Sequence, residues 1–439
     1  MARQKDLDKK KSDRQAIERS KEGTERVVLV GVGLQSDVKN EYKESLLELM
    51  ELTETAGAEV VGSLSQVMDK FNPATLIGKG KILEIKQIVE ETKANLVIID
   101  HQLTGAQAVN LEQELRVSVL DRTQLILDIF AQRAQTHEGK LQVELAQMLD
   151  QLPRMIGAWM GSHSRQGAGI GTRGPGETAL EMDRRRVRER IDFVRKQLKE
   201  VQKRRSQHRN TRRRNKIPTF ALIGYTNAGK SALMNQLTKS EIYSEDKLFA
   251  TLDPTTRKVY LPGGPPAVLT DTVGFIRRLP TKLIEAFKAT LEESAEADIL
   301  LHVIDISNPQ INRHVEVVNE LITEFEWQNK PILHVYNKVD LATNEDKFKA
   351  SLYPRIFVSA LKGIGLDDLK NMMLDKILSL QKKVELFFQI EEKHKIYELD
   401  RETNILKQEH GSTGTMCEVL MTEAQIQKWG AYIIQKSQI

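Results

Sequence analysis

Apolar residues between positions 27 and 135 form short continuous runs, separated by stretches in which they recur at helical spacing. Continuous apolar runs are typical of strands buried on both faces of a parallel sheet, and the stretches between them predict the covering helices. The predicted strands are Val27–Val32, Ala58–Gly62, Asn95–Asp100 and Ser118–Asp121, and the predicted helices are Tyr42–Thr55, Lys79–Lys93, Gln107–Leu115 and Arg122–Arg133. We therefore expect an α/β domain with a parallel sheet over residues 27–135.

Two long helical patterns follow, at about Lys140–Met160 and Glu177–Arg214. In the second, apolar residues recur alternately after four and three residues, which is the spacing of a coiled-coil seam. The segment between them, Gly161–Gly176, contains six glycines together with Arg165 and Arg173. We expect residues 136–216 to form an antiparallel helical hairpin whose glycine-rich tip approaches a partner's phosphates through its amides and arginines.

The two ends of the chain have different patterns. Residues 1–26 are rich in charged side chains and lack an apolar stretch of signal-peptide length, so we expect a disordered tail. A new domain starts near residue 217 and extends to 383. Beyond it, Val384–Ile390 and Cys417–Met421 have strand patterns and Thr422–Tyr432 has a helical one, which predicts a small α/β module at 384–439.

Charge is concentrated in the second helix of the hairpin. Residues 179–216 contain 16 Lys or Arg against 5 Asp or Glu, whereas the whole chain has a formal net charge of only +4. A one-signed basic element favours binding to a polyanion, because neutralised phosphates release their counterions. A solvated helix face that is basic by chance is the alternative.

Composition narrows the class of protein. The chain of 439 residues has a single cysteine, so no internal disulfide can form, and a reducing compartment is the natural setting. No apolar run approaches the ~18 residues of a membrane span. We expect a soluble cytoplasmic protein.

A phosphate-binding loop follows the apolar strand Thr219–Ile223 and precedes a helical pattern. Its glycines let backbone amides wrap around phosphates, and the following helix adds its dipole. The lysine neutralises the outer phosphates, which makes it the candidate catalytic residue, and the serine hydroxyl is a magnesium ligand. The loop consists of Gly224, Tyr225, Thr226, Asn227, Ala228, Gly229, Lys230 and Ser231.

Two later motifs predict that the base is guanine. Asn337, Lys338, Val339 and Asp340 follow the apolar strand Pro331–Tyr336, and the Asp340 carboxylate can accept protons from the ring imide and the exocyclic amine of guanine. Adenine offers no such pair of donors on that edge. The strand Arg355–Val358 then leads to the segment that would contact the guanine oxygen, formed by Ser359, Ala360 and Leu361.

Two segments between the phosphate-binding loop and Asn337 are candidates for sensing the third phosphate. The strand Ala267–Thr270 ends in Asp271, Thr272, Val273 and Gly274, where Asp271 would hold magnesium through water and the Gly274 amide would bind the terminal phosphate. Upstream, a threonine hydroxyl should bind magnesium, and the spacing does not separate Thr251 from Thr255 or Thr256. That segment begins with Phe249, Ala250, Thr251, Leu252 and Asp253.

The residue after Gly274 is Phe275, at the position where Ras-like proteins have a glutamine that orients the attacking water. Phenylalanine cannot do this, so we expect slow hydrolysis that depends on a partner. Asn227 resembles an asparagine with which some such enzymes recruit potassium, which adds K⁺ to Mg²⁺ as a predicted cofactor.

Four segments carry a resemblance to the HflX family of translational GTPases: Gly-Tyr-Thr-Asn-Ala-Gly-Lys-Ser, Phe-Ala-Thr-Leu-Asp-Pro-Thr, Asp-Thr-Val-Gly-Phe-Ile-Arg and Gly-Thr-Arg-Gly-Pro-Gly-Glu. The resemblance implies an N-terminal α/β domain, a helical hairpin and a Ras-like GTPase domain. It also implies binding to the large ribosomal subunit, a hairpin tip near the peptidyl transferase centre, and Thr251 as the magnesium ligand. Where the family usually reads Thr-Gln-Leu-Glu-Thr-Asp, this chain has Thr178-Ala179-Leu180-Glu181-Met182-Asp183.

The leading hypothesis is an α/β GTPase that binds GTP and GDP and acts in ribosome splitting, stalled-ribosome rescue or ribosome biogenesis, as a monomer when off the ribosome. The candidate RNA-binding residues are Arg165, Arg173, Arg184, Arg185, Arg186 and Arg188. A signalling switch with a protein or membrane partner is the alternative from another class. A third reading is an RNA-remodelling ATPase, whose ATP turnover would survive replacement of Asp340.

Overall fold

The computed structural model describes most of the chain, and its residues fall into two compact units. One comprises the described residues of Met1–Glu200, Lys247–Asp253 and Arg277–Lys288, and the other those of Val201–Asp246, Pro254–Ile276 and Ala289–Ile439. The described residues are 25–36, 41–163, 175–214, 217–239, 248–264, 266–278, 283, 286, 294–421 and 423–434.

The first unit contains a four-stranded, all-parallel sheet in the order β2-β1-β3-β4. Its strands are β1 (Arg26–Leu34), β2 (Glu59–Met68), β3 (Leu96–Ile99) and β4 (Ser118–Asp121). Its helices are α1 (Glu41–Thr55), α2 (Lys79–Thr92), α3 (Gly105–Leu115) and α4 (Arg122–Arg133). Every residue of β3 is buried, as the continuous apolar run predicts for a strand covered on both faces. The predicted α/β class is confirmed here.

Strand β2 is longer than the sequence pattern predicts, because it is an edge strand. The apolar run ends at Gly62, but the strand continues to Met68 and pairs with β1 along its whole length. Exposed and half-buried residues alternate in its second half, where Ser63, Ser65 and Gln66 lie. The hydrophobic signal therefore stops before the hydrogen bonding does.

Two long helices follow, α5 (His137–His163) and α6 (Pro175–Arg214). Both extend further into the glycine-rich segment than predicted, and residues 164–174 of that segment lie outside the described residues. Helix α6 begins with Pro175, whose fixed φ suits a first helical position. Ile191, Val194 and Leu198 of its seam are buried.

The carboxylate of Asp121 joins α5 to the end of the sheet. It accepts hydrogen bonds from the backbone N–H of Leu103 and of Gln124, both at 2.9 Å, so it caps α4. It also accepts a bond of 2.6 Å from the guanidinium of Arg154 on α5. Because Asp121 is fully buried, this ion pair fixes α5 relative to β4 within the first unit.

The second unit contains a six-stranded sheet in the order β10-β9-β8-β5-β7-β6, parallel except for β6. Its strands are β5 (Thr219–Ile223), β6 (Thr255–Val259), β7 (Ala267–Asp271), β8 (Ile299–Asp305), β9 (Ile332–Asn337) and β10 (Arg355–Phe357). Its helices are α7 (Lys230–Thr238), α8 (Ile311–Glu324), α9 (Asn344–Phe348) and α10 (Leu366–Ser379). Phe220, Leu222 and Leu301 are fully buried in its core. The motif-bearing loops follow the carboxyl ends of β5, β7, β9 and β10, which is the usual ligand side of such sheets.

The C-terminal segment adds a three-stranded antiparallel sheet in the order β11-β13-β12. It contains β11 (Lys382–Gln389), α11 (His394–Glu402), β12 (Asn404–His410), β13 (Gly414–Met421) and α12 (Glu423–Trp429), with 3₁₀ turns at Ile390–Glu392 and Gly430–Tyr432. Trp429 packs edge-on against Phe388, and Cys417 is buried. In the described residues, no helix is both long and apolar enough to cross a membrane.

Candidate nucleotide-binding site

The phosphate-binding loop connects β5 to α7, and its two glycines are required by close contacts. Gly224 has φ +149°, and a Cβ there would lie 2.2 Å from the carbonyl oxygen of Val303. Gly229 has φ +88°, and a Cβ there would lie 2.2 Å from the side-chain nitrogen of Asn337. Any other residue would meet both strain and collision at these positions. The sequence therefore adopts this loop because glycine stands at its first and sixth positions.

The Lys230 side chain folds back onto the phosphate-binding loop. Its ammonium donates to the carbonyl oxygens of Gly224 at 3.1 Å and Tyr225 at 2.9 Å, and the residue is 6% exposed. Burial lowers the pKa of Lys230 to about 8, although the nearby Asp271 carboxylate opposes the shift. A phosphate beside this ammonium would favour its charged form.

Ser231 and Asp271 meet beside the lysine. The Ser231 hydroxyl donates to the Asp271 carboxylate over 2.6 Å, and Asp271 is fully buried at the end of β7. A hydroxyl and a carboxylate are hard oxygen donors of the kind that Mg²⁺ prefers when phosphates and water complete its shell. These two residues fit a magnesium ion.

The Asp-x-x-Gly segment is joined to the loop through its main chain. Thr226 N–H donates to the Phe275 carbonyl at 2.7 Å, and Phe275 N–H donates to the Gly224 carbonyl at 3.1 Å. A Cβ on Gly274 would lie 2.9 Å from Thr226 Cα and 3.0 Å from the Lys230 ammonium. Gly274 therefore lies directly against the phosphate-binding loop, while the Phe275 side chain is buried. The Thr272 hydroxyl is used internally, because it donates to the Leu222 carbonyl at 2.7 Å.

Asn337 connects three of the motifs. Its side-chain amide donates to the Ala228 carbonyl at 2.9 Å, and its side-chain oxygen accepts the Ala360 N–H at 3.0 Å. The neighbouring Lys338 pairs with Asp305 at 2.9 Å, and Asp340 is half-buried. Asn337, the first residue of the Asn-Lys-x-Asp motif, thus links the predicted base-binding segment to the phosphate-binding loop by hydrogen bonds.

The Ser359-Ala360-Leu361 segment turns immediately after β10. The Ser359 hydroxyl accepts the Lys362 N–H at 3.1 Å, while its own N–H donates to the Ile364 carbonyl. Ser359 and Ala360 are buried, whereas the Leu361 side chain is exposed. Val339 N–H donates to the Val358 carbonyl at 3.1 Å, which keeps this segment beside the Asn-Lys-x-Asp motif.

Two aromatic arrangements near the loop have no signal in the sequence motifs. The ring of Tyr225 stacks on that of His314 from α8, with centroids 3.8 Å apart and planes within 5°. Below the loop, His302 of β8 and His334 of β9 are buried, with their Nδ1 atoms 3.4 Å apart. Burial lowers the pKa of His302 to about 3, helped by His334 and Lys230, and burial lowers the pKa of His334 to about 4. Both rings are therefore neutral near pH 7.

The segment Leu248–Asp253, which includes the candidate sensor Thr251, makes its contacts in the first unit. Leu248, Phe249 and Leu252 are buried, and the Phe249 ring lies edge-on against that of Phe130. The Asp253 carboxylate accepts the N–H groups of Gln135 and Thr136, each at 3.0 Å, and also the Thr136 hydroxyl. Thr251 is half-buried between these anchors.

Thr255 and Thr256, the alternatives to Thr251, lie in β6 and belong to the second unit. Thr255 is paired with Asp271 and Thr256 with Thr270 in the antiparallel ladder. The hydroxyls of Thr256 and Thr270 are 3.1 Å apart and hydrogen-bonded. The ladder thus gives Thr256 a structural role, and Thr251 lies outside any strand.

The candidate RNA-binding arginines lie on the outside of α6 where the structure describes them. Arg185, Arg186 and Arg188 are exposed and Arg184 is half-buried, whereas Arg165 and Arg173 lie outside the described residues. Arg185 pairs with Glu189 at 2.8 Å and Arg186 with Asp183 at 3.3 Å. Exposed ion pairs of this kind contribute only about 0–1 kcal/mol, so phosphates can replace them easily. Met182, at the position where this chain departs from the HflX pattern, is 56% exposed.

Comparisons with known proteins cover most of the chain. Three protein families match consecutive segments: "GTP-binding GTPase N-terminal" at residues 43–131, "GTP-binding GTPase Middle Region" at 133–212 and "50S ribosome-binding GTPase" at 219–338. GTPase HflX of Caldanaerobacter subterraneus subsp. tengcongensis is 48% identical over 390 residues, which is 88% of this chain and 86% of that protein. GTPase HflX of Escherichia coli is 43% identical over 358 residues, 80% of this chain and 83% of that protein. A crystal structure of SsGBP in complex with GDP covers 81% of this chain and 99% of its own, with 26% identity and a TM-score of 0.46.

Proposed function

The chain belongs to the GTPase HflX family and hydrolyses GTP, and from this premise we propose that it binds the large ribosomal subunit through the basic helix α6. The proposal includes a role in ribosome splitting, stalled-ribosome rescue or ribosome biogenesis, and hence a place in the cytoplasm, where ribosomes work. The observation that carries it is the row of exposed arginines on α6. The description of the family that matches residues 219–338, a 50S ribosome-binding GTPase, supports it.

For the chemical step, we propose in-line attack of water on the terminal phosphate. The loop amides and the Lys230 ammonium would hold the phosphates and offset the charge that develops on them. Asp340 would read the guanine edge, with Asn337 keeping the base-binding segment in place. Slow hydrolysis in the absence of a partner follows from Phe275, whose buried side chain has no polar group to offer the water.

Two cations belong to this proposal. Ser231 and Thr251 would ligate Mg²⁺, which supplies positive charge against the phosphate oxygens when bound. Asn227, half-buried with φ 61°, would ligate K⁺ beside the phosphates. If it does, exchange of potassium for sodium should slow GTP turnover, and equal rates in the two buffers would exclude a role for K⁺.

GTP turnover by the purified chain, alone and with large ribosomal subunits, tests the proposal in potassium buffer at two salt concentrations. We expect strong stimulation that weakens steeply as salt rises, because phosphate contacts release counterions. The reversal Arg185→Glu, Arg186→Glu and Arg188→Glu should weaken subunit binding by at least about tenfold. A matched control reverses three exposed lysines elsewhere, Lys79, Lys93 and Lys347, for the same change in net charge.

The outcomes separate the candidate functions. Loss of binding in the α6 variant but not in the control supports α6 as the anchor. Equal losses of binding in both variants would show that the overall charge of the chain controls binding, which would contradict a specific role for α6. No stimulation at either salt concentration, with GTP still bound, would favour the signalling switch instead.

A further inference from the structure

The hydroxyl of Thr226 is a buried polar group in the phosphate-binding loop. Thr226 is 5% exposed, and its Oγ1 has no partner among the residues that the structure describes. A buried hydroxyl that makes no hydrogen bond costs about 1–3 kcal/mol relative to a satisfied one. Such a group in a folded protein indicates either a structural defect or a bond that forms only when a ligand is present.

The surroundings of Thr226 are those of the reacting phosphate. Its methyl carbon Cγ2 lies 2.9 Å from the position of a Cβ on Gly274, and the Lys230 ammonium lies 3.0 Å from the same position. Methyl and hydroxyl are attached to one carbon, so the unpartnered oxygen lies next to the methyl group that faces Gly274. Thr226 N–H already donates to the Phe275 carbonyl at 2.7 Å, so a donor to a ligand at this residue has to come from the side-chain hydroxyl.

The Phe275 side chain cannot orient water in this part of the site, because it has no polar group. Phe275 contributes only its main chain to the loop, and its ring is buried. A hydroxyl can accept one hydrogen bond and donate another, so it can replace a carboxamide in this role. The stacked rings of Tyr225 and His314 support the residue next to Thr226 and thereby limit movement of the loop at this point.

We propose that the Thr226 hydroxyl orients the attacking water, by accepting a hydrogen bond from it and donating one to an oxygen of the terminal phosphate. The new bond forms between the water oxygen and the terminal phosphorus. The bond to the bridging oxygen breaks with its electron pair passing to GDP, and the proton leaves with inorganic phosphate. Thr226 is neither oxidised nor deprotonated in this step. The proposal rests on GTP hydrolysis alone and holds whether or not α6 binds ribosomes.

The test compares Thr226→Val, which keeps the shape and removes the hydroxyl, with Thr226→Ser, which keeps the hydroxyl. Single-turnover hydrolysis of GTP by the full chain without ribosomes should fall by about 100-fold in the valine variant. Affinity for a non-hydrolysable GTP analogue should change less than about threefold, which separates an effect on catalysis from one on binding. The serine variant should recover hydrolysis to within about tenfold of the original chain.

The stability of the chain without nucleotide is a second readout. The proposal predicts that removal of the hydroxyl does not lower it, whereas a purely structural role predicts that it does. Without nucleotide, Thr226→Val removes an unsatisfied hydroxyl, so its urea midpoint should equal or exceed that of the original chain. The matched control is Thr415→Val in β13, where the buried hydroxyl is bonded to His410 at 3.0 Å. This control should lower the midpoint and leave GTP hydrolysis unchanged.

Three results would overturn the proposal. Hydrolysis at the original rate in Thr226→Val would show that the hydroxyl is dispensable. Equally slow hydrolysis in the serine and valine variants would show that another property of threonine matters. A lower midpoint together with weaker analogue binding in the valine variant would assign Thr226 a structural role.

Discussion

The two segments proposed to sense the third phosphate are anchored in different ways. Asp271–Phe275 is held by the main chain, because Phe275 exchanges backbone hydrogen bonds with Gly224 and Thr226. Leu248–Asp253 is held by side chains, through three buried apolar residues and the Asp253 carboxylate. The first anchor belongs to the second unit and the other to the first unit.

This difference decides which residues matter in each segment. A main-chain anchor tolerates changes of side chain as long as nothing blocks the close approach, so its sensitive position is Gly274. A side-chain anchor depends on particular groups, and its polar part is a single carboxylate. The first segment is therefore sensitive to a steric change at Gly274, and the second is sensitive to loss of the hydrogen bonds that Asp253 accepts.

The largest effect is expected for Gly274→Ala, which attacks the main-chain anchor. The new Cβ would lie 2.9 Å from Thr226 Cα, a backbone atom that cannot move aside without opening the loop. We expect GTP hydrolysis to fall by about a thousandfold, since misplacement of about an ångström at a reacting centre already costs 100-fold. Steady-state phosphate release measures this, with GDP binding as the companion readout.

Gly80→Ala is the control for that substitution, because a Cβ at Gly80 has no neighbour within 4 Å. It should leave phosphate release unchanged. GDP lacks the third phosphate, so its affinity for Gly274→Ala should fall far less than the hydrolysis rate. A Gly274→Ala chain that hydrolyses GTP normally would show that the loop and the Asp-x-x-Gly segment need not touch during the reaction.

The stability of the two units should respond differently to acid. The pKa of His302 is about 3 and that of His334 about 4 in the folded chain, against an ordinary value of 6.5. Between pH 4 and pH 6.5, the unfolded chain therefore binds more protons at these histidines than the folded chain does. The second unit should therefore lose up to about 1.4 kcal/mol of stability per pH unit for each histidine as the pH falls from 6.5 towards 4. In the first unit, His101 is half-buried and His137 is exposed, so neither carries the burial that lowers the pKa of His302 and His334. Urea unfolding followed by hydrogen exchange in each unit measures the contrast.

Replacing both histidines by glutamine should flatten the pH dependence of the second unit, because glutamine does not titrate. The comparison of slopes matters here, since glutamine also changes the packing of the core. An unchanged slope in the double variant would assign the acid sensitivity to other groups.

The smallest effect is expected for Asp253→Ala, which removes the polar part of the side-chain anchor. The N–H groups of Gln135 and Thr136 would donate hydrogen bonds to water instead, so the loss of stability should be about 1 kcal/mol, as for a helix cap. Hydrogen exchange at these two amides should speed up, while Asp253→Asn, which keeps an acceptor oxygen, should protect them partly. Unchanged exchange in the alanine variant would mean that the three buried apolar residues suffice to hold the segment.

The central strands were predictable from the sequence, and several edge strands were not. Strand β3 is buried throughout and β5 is buried from Phe220 to Ile223; both carry continuous apolar runs, and the predicted ranges differ from the observed ones by at most one residue at either end. The edge strands β2, β6 and β12 contain polar residues on exposed positions, so their hydrophobic signal is short or missing. They are strands because a neighbouring strand supplies hydrogen-bond partners, and this pairing is not encoded locally.

The motifs that carry the chemistry could be read from the order of residues alone: a phosphate-binding loop that needs glycine, a lysine and a serine at fixed spacing, and the acidic residue Asp340, which suits guanine. These follow from covalent order, since short motifs bring their own backbone geometry. The pairing of Phe275 with the loop and the bonds of Asn337 to Ala228 and Ala360 could be read only from the folded chain. The same holds for the Thr226 hydroxyl, which has no hydrogen-bond partner among the described residues. These contacts join residues far apart in the chain or depend on what surrounds a side chain, and burial and partners exist only once the sheet has brought the segments together.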